Sequence, residues 1–323
     1  MAGSTPRIAV VVPCFRVRGQ VLQVIGGIGL EVERIYAVDD FCPEQTGDLI
    51  EQQCADPRVR VLRHAENQGV GGATVTGYRE ALADGADIVV KIDGDGQTDP
   101  TLIPSLTRPL IAGDADYSKG NRFHDLTEVR AMPPLRILGN ATASLLNKMV
   151  SGYWQVMDPT NGFTAIHRAA LAALPLGKLD RGYFFASDML FRLYTIRAVV
   201  CDVPMPSPRG AEQGNQRAGR VAGIFPFKCL RAMAKRIFYA YFLRDCNAGT
   251  LQLCLGLLFG GGGAAYGLAS YIQSAATGVP ITVVTVMLAG LSILAGIQFL
   301  LGALYYDVQS VPREALQAGD TAT

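Results

Sequence analysis

Short apolar runs separated by polar turns fill the first two thirds of the chain, and two long uncharged runs dominate the last quarter. Residues 7–13 (RIAVVVP), 32–38 (VERIYAV), 58–62 (RVRVL) and 88–92 (IVVKI) are short and rich in β-branched side chains, which suits buried strands. Between them the apolar spacing predicts helices around residues 21–28 and 46–54, and one from the turn 67–72 to about Asp84. Further on it predicts a helix over 102–112, a strand ending near Lys119 and Arg122, and a helix opening at Pro133-Pro134. A helix over 189–194 and a strand over 197–203 follow. Strands alternating with helices imply an α/β fold, a mostly parallel sheet with helices on both faces. Ligands of such sheets bind beyond the carboxyl ends of the strands.

The pattern changes after residue 203. Residues 204–223 carry prolines, glycines, Arg209, Arg217 and Arg220, and read as a loop. Residues 224–242 then set Lys228, Arg231, Lys235 and Arg236 among Phe227, Leu230, Met233, Ile237, Phe238 and Tyr241. This suits a helix lying in a membrane interface, or a helix packed on a core with a solvated basic face. Residues 251–272 and 281–306 contain no charge, and each reaches the roughly 20 residues needed to cross the hydrocarbon core. Joined by 273–280, they predict a two-helix transmembrane hairpin. Basic residues crowd its first flank up to Arg244, which places that flank, the preceding domain and the tail on the cytoplasmic side of an inner or plasma membrane. Gly260 to Gly263 either allow close helix contact or face lipid. The expected division is a catalytic domain over 1–215, amphipathic juxtamembrane helices over 216–248, two membrane helices over 249–307 and a cytoplasmic tail over 308–323.

Composition adds little to this. A net charge of +1 gives no general attraction for nucleic acid. The cysteines stand singly, with no CxxC pair, so neither a zinc site nor a disulfide framework is indicated. The N-terminal apolar run is short and β-branched and reads as a strand, not a secretory signal.

The candidate chemistry lies at the strand ends. Asp39, Asp40, Asp93 and Asp95 fall on one rim, where like charges repel unless a cation or hydrogen-bond donors join them. Hard divalent ions such as Mg²⁺ and Mn²⁺ take oxygen ligands and keep positions open for phosphate. Asp93-Gly94-Asp95 supplies two such ligands and room for a diphosphate; a polar turn is the alternative. An EF-hand loop is excluded, because its glycine and final carboxylate would fall on Thr98 and Pro104. The turn NQGVGG (67–72) is either a tight turn or an anion site at a helix N-terminus. Lys119 and Arg122 in KGNRF, and Arg136, Asn140 and Asn147 in the following helix, are either solvated or functional. Asp158 lies in the turn DPTNGF, and Ser187 or Asp188 is a helix cap or a site residue.

In their order, VVVPCF, VDD, NQGVGGA, DGDGQTDP, KGNRF, DPTNGF and the hairpin resemble family 2 glycosyltransferases of the polyprenyl-phosphate type. The resemblance implies a GT-A fold and inverting transfer of a sugar from a GDP- or UDP-linked nucleotide sugar to a polyprenyl phosphate. It implies that Pro13, Asp39 and Asp40 hold base and ribose, that Asp93, Gly72 and Arg209 contact the donor, and that Asp95 and Gln97 bind Mg²⁺ or Mn²⁺. Arg122 and Arg136 would grip the acceptor phosphate, with Ser118 beside them and Asn140 where the family often has serine. Asp158 and Asp188 are the candidates to position the acceptor or assist proton transfer, Asp158 the more so for its place in the DPxxGF turn. The family's lysine after the pre-membrane arginine is missing here, so Arg209 or Arg217 would meet the diphosphate instead. The alternatives are a related transferase acting on another lipid or a growing glycan, and an inactive membrane scaffold. The first usually carries a QxxRW motif, whereas the only tryptophan here is Trp154 in GYWQVMD. Intact carboxylates speak against the second. A homo-oligomer is left open.

Overall fold

The computed structural model describes residues 5–124, 134–182, 184–206 and 225–320. The chain forms two compact units, Met1–Met233 with Pro312–Thr323, and Ala234–Val311. The first is built on a seven-stranded sheet in the order β3-β2-β1-β4-β6-β5-β7. Strand β1 (Ile8–Cys14) lies between β2 (Val32–Asp39) and β4 (Ile88–Lys91), parallel to both, and β3 (Val59–Arg63) extends β2 in parallel. Every residue of β1 and β4 is buried, as expected of parallel strands covered on both faces. Helices α1 (Val21–Gly26), α2 (Thr46–Gln53), α3 (Gly69–Ala83) and α4 (Ile103–Ile111) fill the crossovers. Val10, Val12, Ile35, Val90, Ile103 and Leu106 share one core cluster.

The other half of the sheet departs from this pattern. Strand β5 (Tyr117–Asn121) and β4 are bridged by β6 (Thr164–His167), antiparallel to both, and β7 (Val200–Pro204) runs parallel to β5. The four-residue β6 was not among the expected strands, because TAIH is too short to show a period. The last strand begins three residues later than expected. Arg197 takes a left-handed φ of 65°, which turns the chain out of the preceding helix first. Helices α5 (Pro134–Ser151), α6 (Arg168–Ala173) and α7 (Phe185–Thr195) complete this half, α5 opening on proline as the sequence suggests.

Helix α8 (Phe225–Phe238) exposes Phe227, Leu230 and Phe238 and continues into a π-helical turn, Tyr239–Leu243. In the second unit, α9 (Ala248–Thr277) starts on a capping box of Asn247 and Thr250, and α10 (Val283–Gln309) returns beside it. Both are long and apolar enough to cross a membrane. A Cβ on Gly296 of α10 would lie 2.2 Å from the Gly260 nitrogen, and one on Gly263 would lie 2.8 Å from the Ser292 Cβ. Gly260 and Gly263 thus face the other helix, while Gly261 and Gly262 meet nothing within 4 Å. Arg236 and Asp307, both buried, form a paired contact at 2.6 and 3.1 Å that the Tyr241 hydroxyl joins at 3.0 Å.

After α10 the chain rejoins the first unit. The fully buried Asp116 carboxylate accepts the backbone N–H of Val199 at 2.8 Å, of Leu316 at 2.9 Å and of Gln317 at 3.2 Å. The Gln317 side chain, at the start of α11 (Gln317–Asp320), donates to the Leu110 and Ala115 carbonyls. The segment after the second apolar helix is therefore docked on the first unit.

Candidate active site

The carboxyl ends of β1, β2 and β4 open onto two adjoining pockets. One, of about 400 Å³, is lined by Pro13, Phe15, Asp40, Asn67, Gly69, Asp93, Asp95 and Gly182 among others. The other, of about 420 Å³, shares Phe15 and Asn67 and adds Asp39, Phe41, Gln45, Arg63 and His64. Phe41 and Gln45 hold left-handed φ values of 53° and 54°, a strain that tends to cluster at ligand sites.

Asp39 and Asp40 are not a bare pair of charges. Asp39 accepts the backbone N–H of Cys42 at 2.8 Å and of Gly47 at 2.7 Å. A Cβ on Gly47 would stand 2.6 Å from that same carboxylate oxygen, so glycine is needed there. Asp40 accepts the N–H of Gln68 at 2.7 Å and of Gly69 at 2.8 Å, and pairs with His64 Nδ1 at 2.7 Å. His64 Nε2 meets the Thr76 hydroxyl at 2.9 Å. Hydrogen-bond donors, most of them backbone, join these two carboxylates.

The same bonds decide the glycine turn. The Gln68 and Gly69 N–H groups are taken by Asp40, and those of Gly71 and Gly72 donate to the Arg181 carbonyl at 2.9 and 3.4 Å. A Cβ on Gly71 would lie 2.2 Å from the Asp180 carbonyl oxygen. The turn packs against residues 180–182, while Gly69 and Val70 line the inner pocket. Gly72 is buried against Gln68, and its N–H points at protein.

Beyond β4, Asp93 accepts from the buried Lys91 ammonium at 2.6 Å, with its own side chain 38% exposed. Asp95 accepts the Gln97 N–H at 3.1 Å, which folds the loop back and leaves Gln97 exposed. Asp95 is exposed at the rim, yet partial desolvation in the pocket raises its carboxyl above the usual carboxylate range; the Gln97 N–H and Lys91 oppose this and the Asp93 charge adds to it. Among the described residues no group of three or more His, Cys, Asp or Glu side chains converges on one point. Two hard oxygen donors on one pocket, one of them short of compensating charge, still fit Mg²⁺ or Mn²⁺ completed by phosphate oxygens and water.

Across the rim stands a second charge system. Asp158, with no exposed surface, accepts Arg122 Nε at 2.7 Å and an Arg122 terminal nitrogen at 3.0 Å. Lys119, 1% exposed, donates to the Asn161 carbonyl. Burial pushes its ammonium down to about 8, against the pull of Asp158. Burial also pushes the Asp202 carboxyl up to about 6. The 158–162 turn links the two systems: it carries Asp158 at one end and, at the other, Gly162, where a Cβ would fall 2.0 Å from an Asp93 oxygen and 2.8 Å from Lys91 Nζ.

Other expected residues lie elsewhere. Ser118 is fully buried and its hydroxyl donates to the Leu106 carbonyl at 2.6 Å, tying β5 to α4. Asp188 accepts the Asp180 N–H at 2.9 Å and Arg192 Nε at 2.8 Å, anchoring the loop before α7. Ser187 donates to Asn147, and neither residue caps α7, whose first flanking residue is Phe184. The side chains of Arg136 and Asn140, and Arg209 and Arg217 entirely, lie outside the described residues. Lys91, Asn161 and Gly162 were missed. A lysine at the end of a buried apolar run was the available signal for Lys91.

Comparison with known proteins agrees with this geometry. The model of glycosyl transferase family 2 matches residues 9–174. A UDP-N-acetylglucosamine–dolichyl-phosphate N-acetylglucosaminyltransferase of Methanococcus voltae is 26% identical, over 61% of this chain and 84% of its own. An undecaprenyl-phosphate mannosyltransferase of Micrococcus luteus is 31% identical, over 53% of this chain and 70% of its own. Among solved structures, glucosyl-3-phosphoglycerate synthase of Mycobacterium tuberculosis in complex with UDP superposes with a TM-score of 0.53 at 20% identity, covering 72% of this chain and 80% of that one. A complex of that enzyme with Mn²⁺, UDP and glucosyl-3-phosphoglycerate gives a TM-score of 0.51. The sheet is the α/β GT-A fold that the motif order implied.

Proposed function

The chain belongs to glycosyl transferase family 2, and from that premise we propose that it moves a sugar from a GDP- or UDP-linked nucleotide sugar to a polyprenyl phosphate at the cytoplasmic face of a membrane. The observation that carries this reading is one turn, 158–162, that reaches both charge systems: Gly162 packs against the Asp93 carboxylate on one side, and Asp158 holds the Arg122 guanidinium on the other. The carboxylate side suits a donor diphosphate and the guanidinium side an acceptor phosphate. The polyprenyl-phosphate relatives from Methanococcus voltae and Micrococcus luteus support the acceptor class.

In this reading the base and ribose enter the two pockets at the ends of β1 and β2, whose walls Asp39 and Asp40 hold in shape while Pro13 lines the inner one. Asp95, with Gln97 beside it, would hold Mg²⁺ or Mn²⁺, which supplies positive charge to the departing diphosphate. Arg122, with Arg136 and Asn140 on α5, receives the acceptor phosphate, and Arg209 meets the diphosphate. An acceptor oxygen attacks the anomeric carbon as the bond to the nucleoside diphosphate breaks, and the diphosphate leaves with the electron pair. Configuration inverts. The attacking phosphate oxygen is already ionised near neutral pH, so no strong base is needed. Asp158 then serves by orienting Arg122.

We place the catalytic domain over 1–215, the amphipathic helix region over 216–248, two spans within 249–307 and the tail over 308–323. Two spans return the chain to the side from which it entered, so both ends of the hairpin lie on one side of the membrane. Basic residues before α9 support that side being cytoplasmic. Incubating the full-length protein with a panel of nucleotide sugars and polyprenyl phosphate tests the activity: one donor should give a lipid-linked sugar of inverted configuration. Transfer to other acceptors alone would overturn the reading. A reporter after Thr323 and a tag in 278–282 should label opposite sides of the membrane, and labelling on one side would refute the hairpin.

A further inference from the structure

Lys119 is a costly residue for its place. It sits within β5 with all but 1% of its surface covered, and burying an ammonium costs several kcal/mol unless it is compensated. Its neighbours in the sheet are Thr164 on β6 and Asp202 on β7. An apolar residue would fill a buried strand position at lower cost. Burial pushes the ammonium down to about 8, while Asp158 and Asp202 favour its charged form.

Its bonds show what it holds. The Lys119 ammonium donates to the Asn161 carbonyl. The Asn161 side chain donates to the Gly120 carbonyl at 2.7 Å and accepts the Phe163 N–H at 3.0 Å. The turn 158–162 is thus fastened to β5 at two consecutive residues. One end of this turn carries Asp158, which grips Arg122 through two nitrogens. The other end carries Gly162, packed so closely that a Cβ there would be 2.0 Å from an Asp93 oxygen. A shift of the turn would move Arg122 and crowd Asp93 together.

We propose that Lys119 is a positioning residue for transfer: through the Asn161 carbonyl it fixes the 158–162 turn, and so sets the spacing between Asp93 on the donor side and Arg122 on the acceptor side. This rests on the reading of Arg122 as a phosphate contact. Misplacement of reacting groups by about 1 Å costs on the order of 100-fold in rate, so small motions of this turn matter.

The test uses the full chain in detergent with Lys119→Met, Lys119→Arg and Arg122→Gln. Donor affinity is measured calorimetrically with nucleotide and Mn²⁺, and acceptor kinetics are normalised to donor-binding sites. For Lys119→Met we expect kcat to fall about 10- to 100-fold, acceptor KM to rise, and donor Kd to stay within about threefold. Lys119→Arg, which keeps a charged donor, should fall between this and wild type. A merely structural lysine would reduce the number of donor-binding sites and leave their kcat and KM at wild-type values; that result overturns the proposal. If Lys119→Met binds no donor, Lys119→Arg decides by the same criteria. Arg122→Gln separates the two readings. Should it leave acceptor KM unchanged, the acceptor assignment of Arg122 fails, and Lys119 stands or falls on kcat alone.

Discussion

The two sides of the active-site rim handle their carboxylates differently. On the β1–β2 side, Asp39 and Asp40 are bound mainly by backbone N–H groups, those of Cys42, Gly47, Gln68 and Gly69. On the β4–β5–β6 side, Asp93 and Asp158 are bound by the side-chain cations Lys91 and Arg122. A backbone amide cannot leave its carboxylate without unfolding the loop that carries it. A side-chain cation can exchange one anion for another. The first side is therefore a framework that shapes pockets, and the second is where phosphate and metal ion can trade places with protein charges.

The hardest test of this division is Asp95, whose carboxyl has one backbone donor and is raised by partial desolvation. If the exchangeable side carries the chemistry, Asp95→Ala should lower transfer by about 1000-fold or more, the scale of losing a dominant electrostatic contribution. Its melting temperature should stay near that of wild type, because the one backbone bond lost, from the Gln97 N–H, is exposed and water can replace it. Excess chelator should silence the wild-type protein to a similar degree. An active Asp95→Ala variant would put the chemistry elsewhere.

The Arg122–Asp158 pair comes next. A lysine cannot reproduce the paired donors of a guanidinium, so Arg122→Lys should raise acceptor KM about tenfold, near 1.4 kcal/mol, with donor affinity changed by less than threefold. Asp158→Asn should follow Arg122→Lys in direction, since it frees the guanidinium from its orientation. Collapse of donor affinity in either variant would move this pair to the diphosphate and undo the division of the rim.

The two sides were also unequally legible. Strands expected over 7–13 and 32–38 appear as Ile8–Cys14 and Val32–Asp39, because short, largely buried runs rich in β-branched residues have few other folds. Aspartates at the ends of those runs fell on the rim for the same reason. What binds them was not visible, since the donors are backbone groups and any residue supplies one. Likewise the glycines of 69–72 read as either a tight turn or an anion site, and their packing on the distant Arg181 carbonyl was not visible. On the other side, Arg122 and its partner Asp158 are 36 residues apart, joined by a turn and by a strand too short to read. The burial of Ser118 was not visible either: strand alternation turns its side chain into the layer between β5 and α4.

A framework carboxylate should behave differently when altered. Asp40→Asn keeps its shape but offers an amide in place of one acceptor, where backbone N–H groups and His64 converge. Leaving a buried donor unsatisfied costs about 1–3 kcal/mol. Stability and donor affinity should fall together, because the pocket wall at 67–69 loosens, while acceptor KM stays at its wild-type value. A rise in acceptor KM with stability intact would mean that Asp40 belongs with the exchangeable charges.

The smallest effect is a pH slope, and it tests whether the buried charge at Lys119 is carried at a cost. The groups that act on its charge are Asp158, Asp202, Lys91 and Arg122. Burial lowers its ammonium from 10.5 to about 8. Below about 8 it is charged in both folded and unfolded chains and adds no slope. Between about 8 and 10.5 the unfolded chain keeps a proton that the folded protein has released, so this group makes stability rise with pH in that window. One proton released per molecule corresponds to at most about 1.4 kcal/mol per pH unit. Asp202, pushed up to about 6, is ionised throughout this window and adds no slope of its own. Denaturant titrations from pH 7.5 to 10, followed by the fluorescence of the single tryptophan, Trp154, give the comparison. Lys119→Met should lack the part of the rise that begins near pH 8, so its stability relative to wild type declines as pH increases. A constant difference between the two proteins across the range would mean that Lys119 keeps its ordinary affinity for a proton and that its burial is fully compensated by its neighbours.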